Sequence, residues 1–519
     1  MPSSSPSAAA SILLSLSLLV LSHAAPSAEA VKALRYHQPP ATIADRSATC
    51  DVAVYGGTPG GVAAAIQAAR AGKSAILLSF DNHVGGLTSG GLTATDLGHK
   101  ESIGGISREF YDRIGRMTDF SPSLAETTFR KMLEEAGVQV IGNQHLMGVE
   151  MKDGRISHLH MDDGRLVRAQ MFIDATYEGD LLAAAKVSYR VGREPRAAFN
   201  ESLAGQWQQE SWKGVYQFCD LPIDPYRVPG DPNSGLLPEI ASAPAGKPGQ
   251  GDSRVQAYNF RMFLSQREDR IPFPKPADYR RERFALLERF LHADPRIRWT
   301  LNYTTKPMTD GPVQMRTGDS NNAGSFSSDL VDGSHRWPDG TFTPDSFDEL
   351  PPPRRGLPMP FAELYKIREA IFQDHVNYQQ GLMHFLANDP AVPAELRERV
   401  NKFGLDPAEF QRTGYWPHAL YVREGRRMVS DYIMTQDHCE SKRVATDSIG
   451  LASYAMDSHF CQRVVVSIDG KATVRNEGAM GKACPKPYPV SYRSIVPRAE
   501  ECTNLLVPVC LSSTHIAYG

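Results

Sequence analysis

A glycine-rich turn near residue 56 has the composition and the spacing of a phosphate cradle. Glycine lets a backbone turn pass close to a pyrophosphate, and a following helix offers unpaired N–H groups and the positive end of its dipole. Gly56 and Gly61 take the first and third glycine positions of a G-x-G-x-x-G pattern, and Thr58 replaces the middle glycine. We predict that five residues of this turn hold a phosphate group, namely Gly56, Gly57, Thr58, Gly60 and Gly61. Ordinary turns and helix caps use the same residue types.

The elements around this turn must form a βαβ unit if the turn is to act as a cradle. Residues 50–55 are typical of a strand, residues 62–72 of an alanine-rich helix that ends on glycine, and residues 74–78 of a second strand. In such units an acidic residue near the end of the second strand accepts the ribose hydroxyls. Ser79 and Asp81 are the candidates here, and both are also typical of an ordinary turn.

A second glycine-rich loop, residues 83–92, follows the second strand directly. With this loop the chain resembles the FAD-dependent oxidoreductases that have a glutathione-reductase-like Rossmann domain. More narrowly, it resembles the secreted branch grouped with heterodisulfide-reductase-like (HdrA-like) flavoproteins. The resemblance implies that Gly85 and Gly86 approach the pyrophosphate and the flavin of FAD, with Thr88 and Ser89 as hydroxyl donors. The alternative is a flexible surface loop.

A group of short apolar runs predicts a β-meander after this loop. The runs are residues 138–141, 146–151, 156–161 and 168–173, with a hairpin turn at 153–155. By the same resemblance, Leu146 matches the position that contacts the adenine. Asp174, Thr176 and Asp180 match the segment that returns beside the nucleotide. Asp-Gly pairs and Thr-x-x-Gly turns are also common in hairpins and caps.

Three residues in the second half of the chain are candidates for catalysis. Asp457 and His459 are an acid and base pair by residue type, and His459 is the candidate proton acceptor. Arg423 lies in a run with two further arginines that can clamp an anionic or polyhydroxylated substrate. The same arginines can instead form ion pairs that hold two domains together, and a lone histidine is often structural.

The order of these elements predicts an α/β protein with a Rossmann-like FAD-binding domain and an inserted α+β substrate domain. We assign residues 48–190 to the first part of the FAD-binding domain, 191–435 to the substrate domain, and 436–519 to the second part. Within the substrate domain, apolar residues at helical spacing predict a helix over 361–388. Residues 1–30 contain a short apolar run, 12–21, and small-residue cleavage sites. We expect a signal peptide and a secreted or periplasmic protein, although no Lys or Arg precedes the run.

The amino-acid composition limits the kinds of binding partner that we expect. Lys and Arg total 56 against 59 for Asp and Glu, a net charge of −3 that argues against a nucleic-acid-binding protein. No later stretch approaches 18 uncharged apolar residues, so we expect no stable membrane insertion. The seven cysteines have neither zinc-knuckle nor ferredoxin spacing, so we predict no metal site and no iron–sulfur cluster, although some disulfides are plausible.

The end of the sequence resembles the last strand and turn of the FAD domain. This resemblance implies that Ser513 lies in the flavin pocket. In the resembled family a helix follows this turn, and the sequence stops before it. We therefore expect an incomplete FAD domain from a truncated or mispredicted gene product. The alternative is a shortened member in which another segment fills the gap.

These observations predict a flavoprotein oxidoreductase that moves a hydride from a small organic substrate to FAD and then to an unspecified electron acceptor. A secreted setting suggests a sugar or a sugar acid as the substrate. Two alternatives stay open. One is an NAD(P)-linked dehydrogenase, and the other is a non-catalytic carbohydrate-binding protein on a decayed flavoprotein fold.

Overall fold

A computed structural model describes residues 34–40, 46–92, 95–118, 120–207, 221–293 and 361–517, with three short strands between 314 and 344. The predicted signal peptide at 1–30 and Cys219 lie outside the described residues. No disulfide joins any two of the six described cysteines. None of the described helices is both long enough and apolar enough to cross a bilayer.

The first part of the chain begins with the predicted βαβ unit. Its described elements are β1 (Arg46–Tyr55), α1 (Pro59–Arg70), β2 (Ala75–Leu78), α2 (Gly86–Ser89), α3 (Gly105–Ile114), α4 (Pro122–Glu135), β3 (Gln139–Ile141), β4 (Leu146–Lys152), β5 (Arg155–Met161), β6 (Arg165–Asp174) and α5 (Asp180–Ala184). Pro59 at the first turn of α1 and the hydroxyl of Thr58 at its N-cap explain why the helix begins there.

The middle of the chain mixes short strands with helices. Its described elements are β7 (Tyr189–Arg190), α6 (Arg196–Phe199), β8 (Asn259–Phe260), β9 (Phe263–Ser265), α7 (Ala285–Ala293), β10 (Gln314–Arg316), β11 (Ser334–Arg336), β12 (Phe342–Pro344), α8 (Phe361–Asn388), α9 (Ala394–Val400), β13 (Gly404–Leu405), β14 (Leu420–Tyr421) and β15 (Arg427–Met428). The predicted helix over 361–388 is confirmed by α8.

The last part of the chain returns to the first sheet. Its described elements are α10 (Gln436–Cys439), β16 (Ser448–Ala452), β17 (Met456–Ser458), β18 (Gln462–Ile468), β19 (Lys471–Glu477), β20 (Met480–Lys482), β21 (Tyr488–Ser491) and β22 (Leu505–Leu506). Strand β22 pairs in parallel with Phe172 and Ile173 of β6, so this part of the chain adds a strand to the sheet that contains β1.

The main sheet has the strand order β3-β2-β1-β6-β5-β4, with β22 also on β6. Strand β1 runs parallel to β2 and to β6, and β3 runs parallel to β2. Strands β4, β5 and β6 pair in antiparallel fashion and form the predicted meander. This parallel-rich sheet confirms the predicted α/β class of Rossmann type.

Both faces of the parallel strands are buried. Val54 of β1 packs towards α1, α3 and α4, together with Leu77 and Phe129. Its neighbours Ala53 and Tyr55 point to the other face, where they pack with the strands of the meander and with α5. Side chains alternate along a strand, so burial on both faces explains why residues 50–55 are nearly all apolar. The turns at the carboxyl ends of β1 and β2 therefore meet at one edge, above a rigid sheet.

Candidate functional site

The first glycine-rich turn lies against the carboxyl end of β6. Gly56 has a φ of +118°, and a Cβ there would lie 2.5 Å from the backbone of Ala175, so only glycine fits at this position of the turn. The hydroxyl of Thr58 donates to the carbonyl of Ala175 at 2.7 Å and accepts from the amide of Gly61 at 3.2 Å. Among the described residues, the amides of Gly57 and Thr58 donate no hydrogen bond. Two backbone donors are thus available to a ligand at the start of α1.

The second glycine-rich loop is bonded directly to the first. The amides of Gly85 and Gly86 both donate to the carbonyl of Gly57, at 2.7 and 3.2 Å. Gly86 has a φ of +49°, and a Cβ there would overlap the hydroxyl of Tyr177. That hydroxyl accepts from the amide of Leu87 at 3.1 Å. The two loops form one continuous backbone surface.

The two hydroxyl residues of the second loop differ in their surroundings. Ser89 is buried, and its hydroxyl donates to the carbonyl of Val84 at 2.7 Å, so it holds the loop together. Thr88 is half-buried, and its amide donates to the carbonyl of Gly85. The role of both residues as donors to a ligand stays a prediction.

A cleft that is partly open to solvent lies over these loops. Its walls come from the first turn, the end of β2, the second loop, residues 176–180, α8 and residues 418–422. The lining residues include Gly56, Gly57, Thr58, Ser79, Asp81, His83, Gly86, Thr176, Asp180, His418 and Val422. The glycine backbone at one wall and the mixed polar and aromatic side chains at the other suit a ligand that contains a pyrophosphate.

The end of β2 supplies polar groups to this cleft. The hydroxyl of Ser79 donates to the carbonyl of His83 at 2.6 Å, and the carboxylate of Asp81 accepts from the amide of His83 at 2.8 Å. Burial raises the pKa of Asp81, while the charge of His83 opposes that shift. Both side chains line the cleft where a ribose is expected, so Ser79 and Asp81 both stay candidates for the ribose contact.

The segment after β6 is held by internal bonds. The carboxylate of Asp174 is fully buried and accepts from the amide and the hydroxyl of Thr176, at 3.0 and 2.7 Å, and from the amide of Leu182 at 2.8 Å. Burial raises the pKa of Asp174 to about 6, although these hydrogen bonds lower it. Asp174 thus fixes the turn beside the cleft, and Thr176 reaches the cleft wall.

Asp180 and Leu146 are also engaged within the protein. Asp180 accepts two bonds from Arg368 of α8, at 2.6 and 2.9 Å, and one from Arg426 at 2.8 Å. The amide of Leu146 donates to the hydroxyl of Tyr55 at 3.1 Å, and its carbonyl accepts from the hydroxyl of Tyr365 at 2.7 Å. A nucleotide that contacted the backbone of Leu146 would have to share these bonds.

A stacked pair of histidines forms one end of the cleft, and neither of them is among the site residues predicted from the sequence. The rings of His83 and His418 lie 3.7 Å apart and nearly parallel. The carboxylate of Glu126 lies 2.9 Å from Nδ1 of His83. Among the described residues, neither ring nitrogen of His418 has a hydrogen-bond partner. Burial and the charge of His83 lower the pKa of His418 to about 3, so its ring is neutral. No local sequence pattern predicts this role for His418, because it lies far from His83 in the sequence and meets it only in the folded protein.

The three predicted catalytic residues lie near one another. His418, Ala419, Leu420 and Val422 line the cleft, and the ring of Tyr421 lies between two guanidinium groups. The guanidinium groups belong to Arg261 and Arg423, at 4.8 and 4.4 Å from the ring centre.

His459 and Asp457 lie beside these arginines. Nε2 of His459 is 3.9 Å from Oδ2 of Asp457, and the charges of Arg423 and Arg261 act on both side chains. Burial lowers the pKa of His459 well below its usual value, and the two arginines lower it further. The group therefore combines a neutral imidazole, a carboxyl and two cations outside the lining of the main cleft.

Ser513 lies in the segment that follows β22. It is buried, forms a parallel bridge with Met434, and its hydroxyl has no hydrogen-bond partner among the described residues. A buried hydroxyl without a partner costs free energy, so a ligand oxygen within reach would be stabilising. Its predicted place in a flavin pocket stays a prediction.

A family model described as FAD dependent oxidoreductase matches residues 51–519. No curated protein was found to match the chain. Among solved structures, THI4 from Thermovibrio ammonificans is 22% identical, with 28% of this chain and 66% of that chain covered and a TM-score of 0.23. The L-proline dehydrogenase from P. horikoshii is 13% identical, with 30% and 59% covered and a TM-score of 0.23. The chain thus spans less than two thirds of the length of these structures, and the family match is the stronger finding.

Proposed function

This chain belongs to the FAD dependent oxidoreductase family, and we propose that it oxidises a small organic substrate by passing a hydride to FAD. The match over residues 51–519 is the observation that carries the proposal. Such an enzyme needs a substrate and, in turn, an electron acceptor. Within the family, the motif resemblance at residues 83–92 supports the branch grouped with heterodisulfide-reductase-like flavoproteins.

The residues of the cleft fit FAD. The available amides of Gly57 and Thr58 suit its pyrophosphate, and the polar groups of Ser79 and Asp81 suit ribose hydroxyls. A side chain at Gly57 would overlap the hydroxyl of Ser79, so the backbone stays open to the ligand. When bound, FAD supplies a flavin ring that accepts the hydride. The predicted NAD(P)-linked and non-catalytic alternatives are not favoured.

We assign the proton transfer to His459. Its imidazole is neutral at pH 7, because burial holds its pKa well below the usual value, and a neutral imidazole can accept a proton. The proton comes from a substrate hydroxyl whose carbon gives up the hydride. The carboxyl of Asp457, 3.9 Å away, then stabilises the positive charge that His459 gains.

The substrate class follows from the charges around His459. The guanidinium groups of Arg261 and Arg423 make this region suitable for a carboxylate, which supports a sugar acid over a neutral sugar. The apolar run at residues 12–21 supports export to a secreted or periplasmic location. The electron acceptor is left open by these observations.

The first test is optical. Purified protein is expected to show flavin absorbance near about 450 nm that bleaches under anaerobic conditions when a sugar acid is added. His459→Gln is expected to retain flavin and to lower kcat at least about 100-fold with little change in KM, since a general base contributes about that much. In His83→Asn, which removes the histidine of raised pKa that lines the cleft, kcat is expected to stay flat from about pH 6 to 8, because His459 is already neutral there.

Three results would contradict this proposal. A protein that stays colourless after FAD is added would exclude the flavoprotein assignment. A rising limb of kcat centred at about pH 6.5 that persists in His83→Asn would exclude the depressed pKa of His459. Equal kcat in His459→Gln and wild type would leave the flavoprotein assignment in place and remove His459 from the proton transfer.

A further inference from the structure

Two histidines and an aspartate meet beside the cleft, apart from every residue used above. His37 belongs to the described segment 34–40, His145 immediately precedes β4, and Asp162 immediately follows β5. Oδ2 of Asp162 lies 2.8 Å from Nδ1 of His145 and 3.1 Å from Nε2 of His37. All three possible ligand atoms lie within 4.8 Å of one another. His37 precedes residue 51, where the family match begins.

The surrounding structure holds these side chains in place. The amide of Asp162 donates to the carbonyl of His145 at 2.9 Å, which fixes the two residues across the β4–β5 hairpin. The ring of His145 packs edge-on against Phe80, with ring centres 4.3 Å apart. The ring of His37 stacks on Tyr365 at 4.7 Å. The side chains are 14% exposed for His37, 5% for His145 and 6% for Asp162, so one edge of the group reaches solvent.

The chemistry of the group suits a borderline divalent cation. The three side chains offer two imidazole nitrogens and one carboxylate oxygen. Zn²⁺ takes imidazole nitrogens together with a carboxylate oxygen, whereas Mg²⁺ and Ca²⁺ prefer ligand sets made of oxygen alone.

We propose that His37, His145 and Asp162 bind a zinc ion, with water as the fourth ligand. Zinc bonds of about 2.0–2.2 Å place tetrahedral ligand atoms roughly 3.3–3.6 Å apart. The two nitrogen–oxygen distances, 2.8 and 3.1 Å, are shorter than this by less than an ångström. The cysteine spacing predicts no metal site, and these three residues lie too far apart in the chain to form a local ligand pattern.

The zinc ion would fasten residues 34–40 to the main sheet. This segment is already tied to α8, since the amides of Tyr36 and His37 donate to Oε2 of Glu369 at 2.8 and 3.1 Å. Arg35 and Tyr36 line the cleft. A zinc ion on His37 therefore holds a part of the cleft wall that comes from outside the family match.

The site can be tested by calorimetric titration of the chelator-treated full chain with Zn²⁺. His158→Ala/His160→Ala serves as the parent protein, because it removes a second pair of neighbouring imidazoles, whose rings lie 4.7 Å apart on β5. We expect one zinc ion per chain in this parent. We expect His37→Ala to weaken binding at least about 100-fold, since loss of an outer-shell partner alone costs about 10–100-fold. X-ray absorption at the zinc edge should show two imidazole ligands.

A second measurement separates binding from misfolding. Zinc is expected to raise the melting temperature of the parent protein and to leave that of His37→Ala unchanged, because only a ligand of the folded state stabilises it. His37 lies outside the sheet, so the circular dichroism of metal-free His37→Ala should match that of its parent. Three results would overturn the proposal: no zinc binding by the parent, equal affinity in His37→Ala, or a zinc spectrum with fewer than two imidazoles.

Discussion

Gly60 and Gly61 are adjacent in the sequence, but an added methyl group meets different surroundings at each. At Gly61 it would overlap the carbonyl oxygen of Gly56 and lie 3.1 Å from the side chain of Ala175. At Gly60 the nearest atom would be a methyl of the half-buried Val509, at 3.3 Å. The contact between α1 and the first turn thus depends on one glycine of the pair.

The first prediction compares Gly61→Ala with Gly60→Ala. Gly61→Ala is expected to lower the free energy of unfolding by about 1–3 kcal/mol, the usual cost of overpacking, and to reduce the flavin content of the purified protein. Gly60→Ala should retain the wild-type flavin content. Flavin absorbance per chain and urea unfolding measure the two effects. Equal flavin content in both variants would show that the turn does not depend on this close contact.

Thr58 has a structural role that the glycine pattern of the sequence does not indicate. The sequence presents it as a substitute for a glycine, whereas the structure shows it as the N-cap of α1 with a second bond to Ala175. An N-cap hydroxyl contributes about 1 kcal/mol to stability. The departure from the glycine pattern therefore has a structural reason, and the available amide of Thr58 can still face a phosphate.

At the element scale, α4 presents Glu126 to His83 at the end of the cleft. Burial alone would lower the pKa of His83, but the hydrogen bond with Glu126 and the charges of Asp81 and Glu126 raise it above its usual value. Burial alone would raise the pKa of Glu126, but His83 and Arg130 lower it to about 2. The carboxylate is therefore ionised across the pH range in which His83 titrates.

The second prediction concerns Glu126→Gln and pH. A histidine with a raised pKa in the folded state contributes stability below its ordinary pKa, and this contribution is lost as pH rises through the folded value. Glu126→Gln is expected to reduce the free energy of unfolding by about 1–2 kcal/mol more at pH 6 than at pH 9. Urea unfolding at the two pH values measures the difference.

The His83→Asn background provides the control for this prediction. In that background the pH-dependent part of the Glu126→Gln effect should disappear, whereas the loss of the bond from Arg130 should remain at both pH values. A pH-dependent effect of the same size in the His83→Asn background would assign the titration to another group.

At the scale of the whole molecule, buried ion pairs join the first sheet to the rest of the chain. Arg368 of α8 is fully buried and binds Asp180, whose side chain is 3% exposed, at the start of α5. Arg426 binds the same carboxylate from the segment before β15. The predicted match of Asp180 to a segment beside the nucleotide is compatible with this role, because Asp180 also lines the cleft.

The third prediction is that Asp180→Asn destabilises the protein by about 3–5 kcal/mol, because it leaves two buried cations without their shared carboxylate. Glu109→Gln is the matched control, since Glu109 also receives two bonds from one arginine, Arg70, but at an exposed site. Its effect is expected to stay below about 1 kcal/mol. Thermal unfolding of both variants measures the contrast, and equal effects would rule out a large contribution from the buried network.

Local patterns in the sequence are sufficient to predict the start of the fold. The βαβ unit, the meander and the helix over 361–388 were predicted because strand alternation, helical spacing and glycine turns are local signals carried by adjacent residues. The same local signals, matched to a family, identified the cofactor, and the match over residues 51–519 supports it.

Tertiary packing brings together side chains that no local pattern connects. It stacks His418 on His83, places Arg423 near Asp457 and His459, and brings His37 and His145 to one carboxylate oxygen of Asp162. Each of these contacts joins residues that are far apart in the chain, and its geometry depends on how whole elements pack. A single sequence carries no local signal for such contacts, because packing is set by the combined burial of many side chains rather than by the spacing of a few.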